Sequence, residues 1–173
     1  MADDSDYAVF GDVYARDLVD VAVDPAALEA GGWWSLCVTF EGELRAYRFA
    51  DVRRVVSHPD TAGFVPVAPD SWTTSLDQRS YEEGVRAIRA HIARGWVYQV
   101  NLCRVLSARL PQAFDPLAAY HVLAQGNPAP FAGLLHIAGD QTIISASPIC
   151  CASRIIQALC TWSLMSNVNL LQV

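Results

Sequence analysis

The chain has 173 residues, 53% of them hydrophobic, and a formal charge of −6 from eighteen acidic and twelve cationic side chains. That is length and apolar content enough for one domain with its own core, which excludes a disordered chain. The acidic balance leaves no basic patch to release counterions from a phosphate backbone, so nucleic acid is not an expected partner.

All twelve cations are arginines, and lysine is absent. The N-terminus, MADDSDYAVF, is acidic where a signal peptide would be basic. No window reaches the roughly 18 apolar residues that a membrane span requires. The expectation is a cytoplasmic chain with no membrane contact, and with residues 1–6 disordered. Cys37 and Cys103 sit alone in apolar stretches and read as buried, inert thiols, whereas Cys150, Cys151 and Cys160 fall in the C-terminal tail. Neither their spacing nor that of His58, His91, His121 and His136 forms a zinc pattern, so no metal site is expected.

Along the chain, Trp34–Phe49 alternates as two strands joined at Glu41-Gly42, an antiparallel hairpin. Residues 57–79, rich in proline and turn formers, read as a loop within one domain rather than a boundary between two. Ser80-Tyr81-Glu82-Glu83 has the form of a capping box, and Tyr81, Val85, Ile88 and Ile92 follow at helical spacing. The spacing predicts a helix over 80–94 that ends at Gly95, with Glu82 and Glu83 in capping rather than catalytic roles.

Trp96–Leu110, WVYQVNLCRVLSARL, carries the strongest strand propensity of the chain. As a strand it would place Tyr98, Val100 and Leu102 on one face, with Gln99 and Asn101 together on the other. Two amides on one face need partners, either neighbouring groups or a ligand cavity, so Gln99 and Asn101 are cavity-facing candidates. Asp115-Pro116 offers an N-cap and a first-turn proline for a helix with Leu117, Tyr120 and Ala124 inward, stopped by Gly126. Asn127–Phe131, NPAPF, is a rigid turn, and two strands follow around Gly139-Asp140. The fold class expected from this order is α+β, a mainly antiparallel sheet with packed helices.

The segments SYEEGVRAIRAHIARGWVYQVNL, DPLAAYHVLAQGNPAPFAG and IISASP together resemble the N-terminal portion of the chorismate-utilising enzymes. Within that family they resemble most closely the synthase component of aminodeoxychorismate synthase, over about Gly31 to Pro148. The resemblance implies an incomplete portion of the chorismate-binding fold. It also implies a parent enzyme that replaces the 4-hydroxyl of chorismate with ammonia on the way to 4-aminobenzoate and folate, using Mg²⁺ and a glutamine amidotransferase subunit. Anthranilate synthase, the sister activity, is similar but usually carries serine and tyrosine where this chain has Ala129 and Phe131. In the family, the turn matching Pro130, Phe131 and Ala132 helps to line a tryptophan pocket. The alternatives are therefore an anthranilate synthase relative, or a non-catalytic module that binds tryptophan or an amidotransferase.

After the S-A-S-P motif the family carries a catalytic glutamate, and farther on a lysine nucleophile in an R-P-I-K-G-T segment. Here Ile149 stands at the glutamate position and no lysine exists anywhere, so no catalytic residue is assigned and no Mg²⁺ is expected to bind this chain. Residues 149–173 hold one charge, Arg154, and no Gly, Pro, Asp or Glu. The expectation is a family segment over 1–148, joined to an unrelated apolar tail by a shifted frame or misjoined end. The alternative is a genuine C-terminal helix. A truncated form should leave strands with open edges and apolar faces uncovered, and should behave poorly in solution.

Overall fold

The computed structural model describes residues 5–39, 41–55, 63–111, 114–129, 131–147, 152–156 and 158–162. In chain order the elements are β1 (Tyr7–Phe10), β2 (Val13–Ala22), β3 (Trp33–Val38), β4 (Leu44–Arg54), β5 (Thr73–Thr74), α1 (Gln78–Ala93), β6 (Leu106–Ser107), α2 (Pro116–Gly126), β7 (Phe131–Ile137), β8 (Gln141–Ser147), β9 (Ala152–Ile156) and β10 (Ala158–Trp162). They fall into two compact units, Met1–Pro66 with Leu110–Val173, and Val67–Arg109.

The first unit is built on a six-stranded sheet in the order β3-β4-β2-β1-β7-β8, with every neighbouring pair antiparallel. Each hairpin follows from its turn. Gly11, Gly42 and Gly139 all adopt positive φ, the conformation that glycine reaches without a Cβ clash. Strand alternation then sends successive residues of β1 and β7 to opposite faces. Tyr7, Val9, Ala132 and Leu134 meet Ala119 and Tyr120 of α2 on one face, while Ala8, Leu135 and Ile137 join Ala15, Tyr47 and Phe49 on the other. Leu134 is completely buried, and burial of such a side chain stabilises by about 1.5–3 kcal/mol. One close approach is specific to glycine: a Cβ on Gly133 would lie 2.5 Å from the Phe10 ring, which sits directly across the β1–β7 pair.

α2 begins and ends where the sequence indicates. The Asp115 carboxylate accepts from the N–H groups of Leu117 at 2.9 Å and Ala118 at 3.2 Å, and Pro116 occupies the first turn. Its buried residues are Ala118, Ala119, Tyr120 and His121. β1 and β2 belong to a stretch for which the sequence reading assigned no strand. The Asp6 carboxylate accepts from Ala138 N–H at 2.8 Å and fixes the start of β1 against the β7–β8 turn. β9 and β10 pair as an antiparallel hairpin, in place of the C-terminal helix considered as an alternative.

In the second unit, α1 starts three residues before the expected capping box. Asp77 is the N-cap, its carboxylate accepting from Ser80 N–H at 2.7 Å. A charged acceptor serves that N–H better than a serine hydroxyl at the later position would, and the pairing holds the Asp77 carboxyl below its usual range. Glu83 pairs with the Arg79 side chain at 2.9 Å and Glu82 accepts from the Gln78 side chain, so both engage first-turn side chains rather than the backbone N–H of a capping box. Gly95, at φ +73°, closes the helix as expected.

The long strand expected over Trp96–Leu110 does not form. Only Leu106–Ser107 is β-structure, paired with Thr73–Thr74. Strand-type side chains need a partner backbone to make a ladder, and Val97–Arg104 makes no backbone–backbone hydrogen bond among the described residues, Val105 alone accepting from Ser75 N–H at 2.9 Å. The apolar side chains that a sheet would have covered are open, with Trp96 67% and Tyr98 95% exposed. Cys103 is likewise exposed rather than buried, while Cys37 is half-buried and burial pushes its thiol pKa up. None of the described helices is long and apolar enough to cross a membrane.

Candidate functional site

The sequence motifs NPAPF and SASP lie eighteen residues apart, and the sheet brings them together. Cross-strand pairing sets Phe131 against Ser147, Ala132 against Ala146 and Gly133 against Ser145. The end of α2 fixes the turn from the other side. Asn127 N–H donates to Leu123 O at 2.9 Å, and the Asn127 side chain reaches across to donate from Nδ2 to Ala146 O at 3.1 Å. Ala132 N–H donates to Ala129 O at 3.1 Å and closes the turn itself.

Asn127 therefore does two things at once. It terminates a helix and caps an outward carbonyl of β8, an edge strand whose acceptors would otherwise face solvent. Sequence reasoning took this stretch as a rigid turn and missed that bond. The sequence signals only that an asparagine after a helix-stopping glycine has a short amide able to reach a backbone, and the β7–β8 register decides which carbonyl it meets.

The three residues expected at the turn are placed unequally. Pro130 lies outside the described residues, Phe131 opens β7 and is 43% exposed as a residue, and Ala132 is buried in the core beneath α2. The turn thus presents one aromatic ring beside a backbone held rigidly by hydrogen bonds. Asn127, Ala129, Phe131 and Ser145–Ser147 include no titratable group, so this arrangement can bind and position but cannot itself transfer a proton. Nearby burial pushes the Tyr120 hydroxyl up, which keeps it neutral beneath the turn.

Gln99 and Asn101 belong to the other unit. Both are exposed, and Gln99 Nε2 lies 3.5 Å from Asn101 Oδ1, so each amide is the other's nearest partner rather than one of a pair set by strand alternation. Ile149 lies outside the described residues. Among the described residues no three His, Cys, Asp or Glu side chains converge into a metal-ligating group.

The mainly antiparallel sheet is compatible with a portion of the chorismate-binding fold, and the sequence comparisons show the family. The chain matches the chorismate binding enzyme family over residues 39–154, and it belongs to that family. The match takes in α1, α2 and both motif segments, and it runs past Pro148 to residue 154.

Among curated proteins the chain is similar to anthranilate synthase component 1 of Streptomyces coelicolor, 33% identical over 106 residues, which is 60% of this chain and 20% of that protein. It resembles the protein of the same name from Haloferax volcanii at 31% over 103 residues, 60% of this chain and 18% of the relative. Aminodeoxychorismate synthase of Streptomyces pristinaespiralis is 41% identical over 86 residues, 46% of this chain and 12% of that protein. The chain thus spans about a fifth or less of the length of these relatives. No solved structure matches it.

Proposed function

We propose that this chain carries a segment of the synthase component of an aminodeoxychorismate synthase. That enzyme would act in the cytoplasm to replace the 4-hydroxyl of chorismate with ammonia delivered by a glutamine amidotransferase subunit, on the way to 4-aminobenzoate and folate. The observation that carries the aminodeoxychorismate reading over the anthranilate one is the turn itself. Ala129 and Phe131 stand where the resemblance gives anthranilate synthases a serine and a tyrosine hydroxyl, and the Phe131 ring is open to its surroundings.

Within that enzyme the role of this segment is structural and positional. The Asn127 bond to β8 and the buried Ala132 hold the turn in register, while the acid–base and nucleophilic work belongs to residues this chain does not contain. With no lysine and with isoleucine at position 149, the chain as given should not turn over chorismate, even with excess ammonia and Mg²⁺.

The test compares three proteins by liquid chromatography of products from chorismate and ammonia: the chain as given, its Ile149→Glu variant, and a fusion that continues from Pro148 into the catalytic part of a family synthase. Production of 4-amino-4-deoxychorismate by the fusion alone is the expected result. Anthranilate from the fusion would assign the sister reaction, and turnover by either of the first two would overturn the positional role. The non-catalytic alternative, a tryptophan site at Pro130, Phe131 and Ala132, predicts binding heat from tryptophan that disappears in Phe131→Ala.

A further inference from the structure

We propose that Val97–Arg104 is a proteolytic site, cut after Tyr98 by a protease that accepts a large aromatic side chain, and that the cut leaves the six-stranded sheet assembled from two chains. A protease holds its substrate extended and pairs with its main chain, so a cleavable stretch needs backbone groups not already bonded in a helix or a ladder. Val97–Arg104 meets that demand. It lies between the end of α1 and the start of β6, and it makes no backbone–backbone hydrogen bond among the described residues. Its side-chain bonds, Gln99 Nε2 to Asn101 Oδ1 at 3.5 Å and Cys103 Sγ to Asn101 O at 4.0 Å, are at the limit of hydrogen-bond length. Tyr98 sets the point of cleavage, since at 95% it is the most exposed of the described large apolar residues. Tyr81 and Phe131 are also open, but they lie within α1 and β7, where the main chain is bonded. Trp96 is held in place: its N–H donates to His91 O at 3.0 Å, its ring stacks on His91 at 5.0 Å, and Arg94 lies over it at 5.5 Å.

The reaction is a hydrolysis. Water adds across the Tyr98–Gln99 amide: the carbonyl carbon takes the oxygen and becomes the Tyr98 carboxylate, while the nitrogen leaves with the protons as the Gln99 ammonium. The sheet does not depend on that amide. The products are residues 1–98 and 99–173, and the seam between them in the sheet is the β1–β7 pair, registered from Tyr7 against His136 to Phe10 against Gly133. Both core clusters draw on both sides of the seam: Tyr7 and Val9 pack with Tyr120 and Leu134 on one face, Ala8 and Tyr47 with Leu135 and Ile137 on the other. Side-chain bonds cross it as well. Ala138 N–H donates to the Asp6 carboxylate at 2.8 Å, Gln141 Nε2 donates to the Tyr47 hydroxyl at 2.7 Å, and Arg45 pairs with Asp140 at 3.1 Å. A cut after Tyr98 breaks none of these contacts.

Limited digestion of the full chain with chymotrypsin, followed by mass spectrometry in native and in denaturing solvent, tests both parts. Among the described residues the first cut should fall after Tyr98 and give a product that begins at Gln99. Gln99 is exposed and its N–H makes no bond among the described residues, so Gln99→Pro should keep the parent's circular dichroism. That variant should lose the product, because proline on the leaving side of the bond prevents hydrolysis by such enzymes. The nicked parent should retain its sheet signal, with the two products running as one species in native solvent and parting only in denaturant. A first cut within α1 or a strand of the sheet would overturn the assigned site, as would a Gln99→Pro chain still cut after residue 98. Products that separate in native solvent would overturn the two-chain sheet.

Discussion

The sheet unit and Val67–Arg109 are made of equally well-patterned sequence, yet only one of them has an interior. In the sheet, Leu134 and Tyr47 are fully enclosed and two clusters form on opposite faces. In Val67–Arg109 no residue is buried, although α1 has a proper N-cap, a proper C-terminal glycine and apolar side chains at helical spacing. Local propensity writes an element, but burial requires a second element in reach. Isolated helices of this length are marginal without such packing. The match to the chorismate binding enzyme family spans both units, so the deficit of Val67–Arg109 does not mark it as unrelated sequence.

Substitutions separate the two regions most sharply where the core is densest. Leu134→Ala should lower stability by about 2–5 kcal/mol in denaturant unfolding, because a fully buried leucine leaves a cavity on truncation. The matched change in α1, Ile92→Ala, should fall within about 0.5 kcal/mol, as for a surface position. Gly133→Val should cost about 1–3 kcal/mol or more, since its Cβ would enter the Phe10 ring, and the same unfolding curves read it.

Smaller losses are expected at the hydrogen bonds that bracket the turn. Asp115→Ala should cost about 1 kcal/mol by removing the cap of α2. Asn127→Ala should cost about 0.5–1.5 kcal/mol by freeing the Ala146 carbonyl. If the turn is a positioning device, Asn127→Ala in the active fusion should also reduce chorismate turnover beyond what its stability loss explains.

The smallest effect is electrostatic. Asp51 accepts from Arg53 at 2.7 Å and Arg16 at 2.8 Å, and both Asp51 and Asp77 have carboxyl groups held below the usual range. A depressed folded-state pKa gives a contribution present above the unfolded value and lost as pH falls through the folded one. Asp77 is exposed and screened, so acid titration of α1 helicity by circular dichroism should show only a slight decline below about pH 4. Asp77→Asn, which keeps the cap without the charge, should remove it.

Much of the fold was legible because it is local. The Gly42 and Gly139 turns, the Asp115-Pro116 start of α2 and the Gly95 stop of α1 each follow from a residue with one strong conformational preference. What the sequence concealed was partnership. Tyr7–Phe10 and Val13–Ala22 alternate and flank Gly11-Asp12, a hairpin signal overlooked beside the acidic N-terminus. Trp96–Leu110 shows the reverse error, since its β-branched and aromatic residues promise a strand but no backbone lies alongside. Of the candidate site, the turn and the family motifs were readable, whereas the Asn127 bond to Ala146 was not. That bond depends on the β7–β8 register, which no single segment contains.

Hydrogen exchange followed by mass spectrometry, on the whole chain at a concentration where it is monomeric, tests the contrast between the two units most directly. Amides of β1, β2 and β7 should exchange slowly, near the limit of global unfolding, while those of Gln78–Ala93 should exchange close to the unprotected rate. Protection of Gln78–Ala93 equal to that of β7 would show that α1 is held by a core of its own, and would contradict the division between a self-sufficient sheet and a segment that lacks its partner.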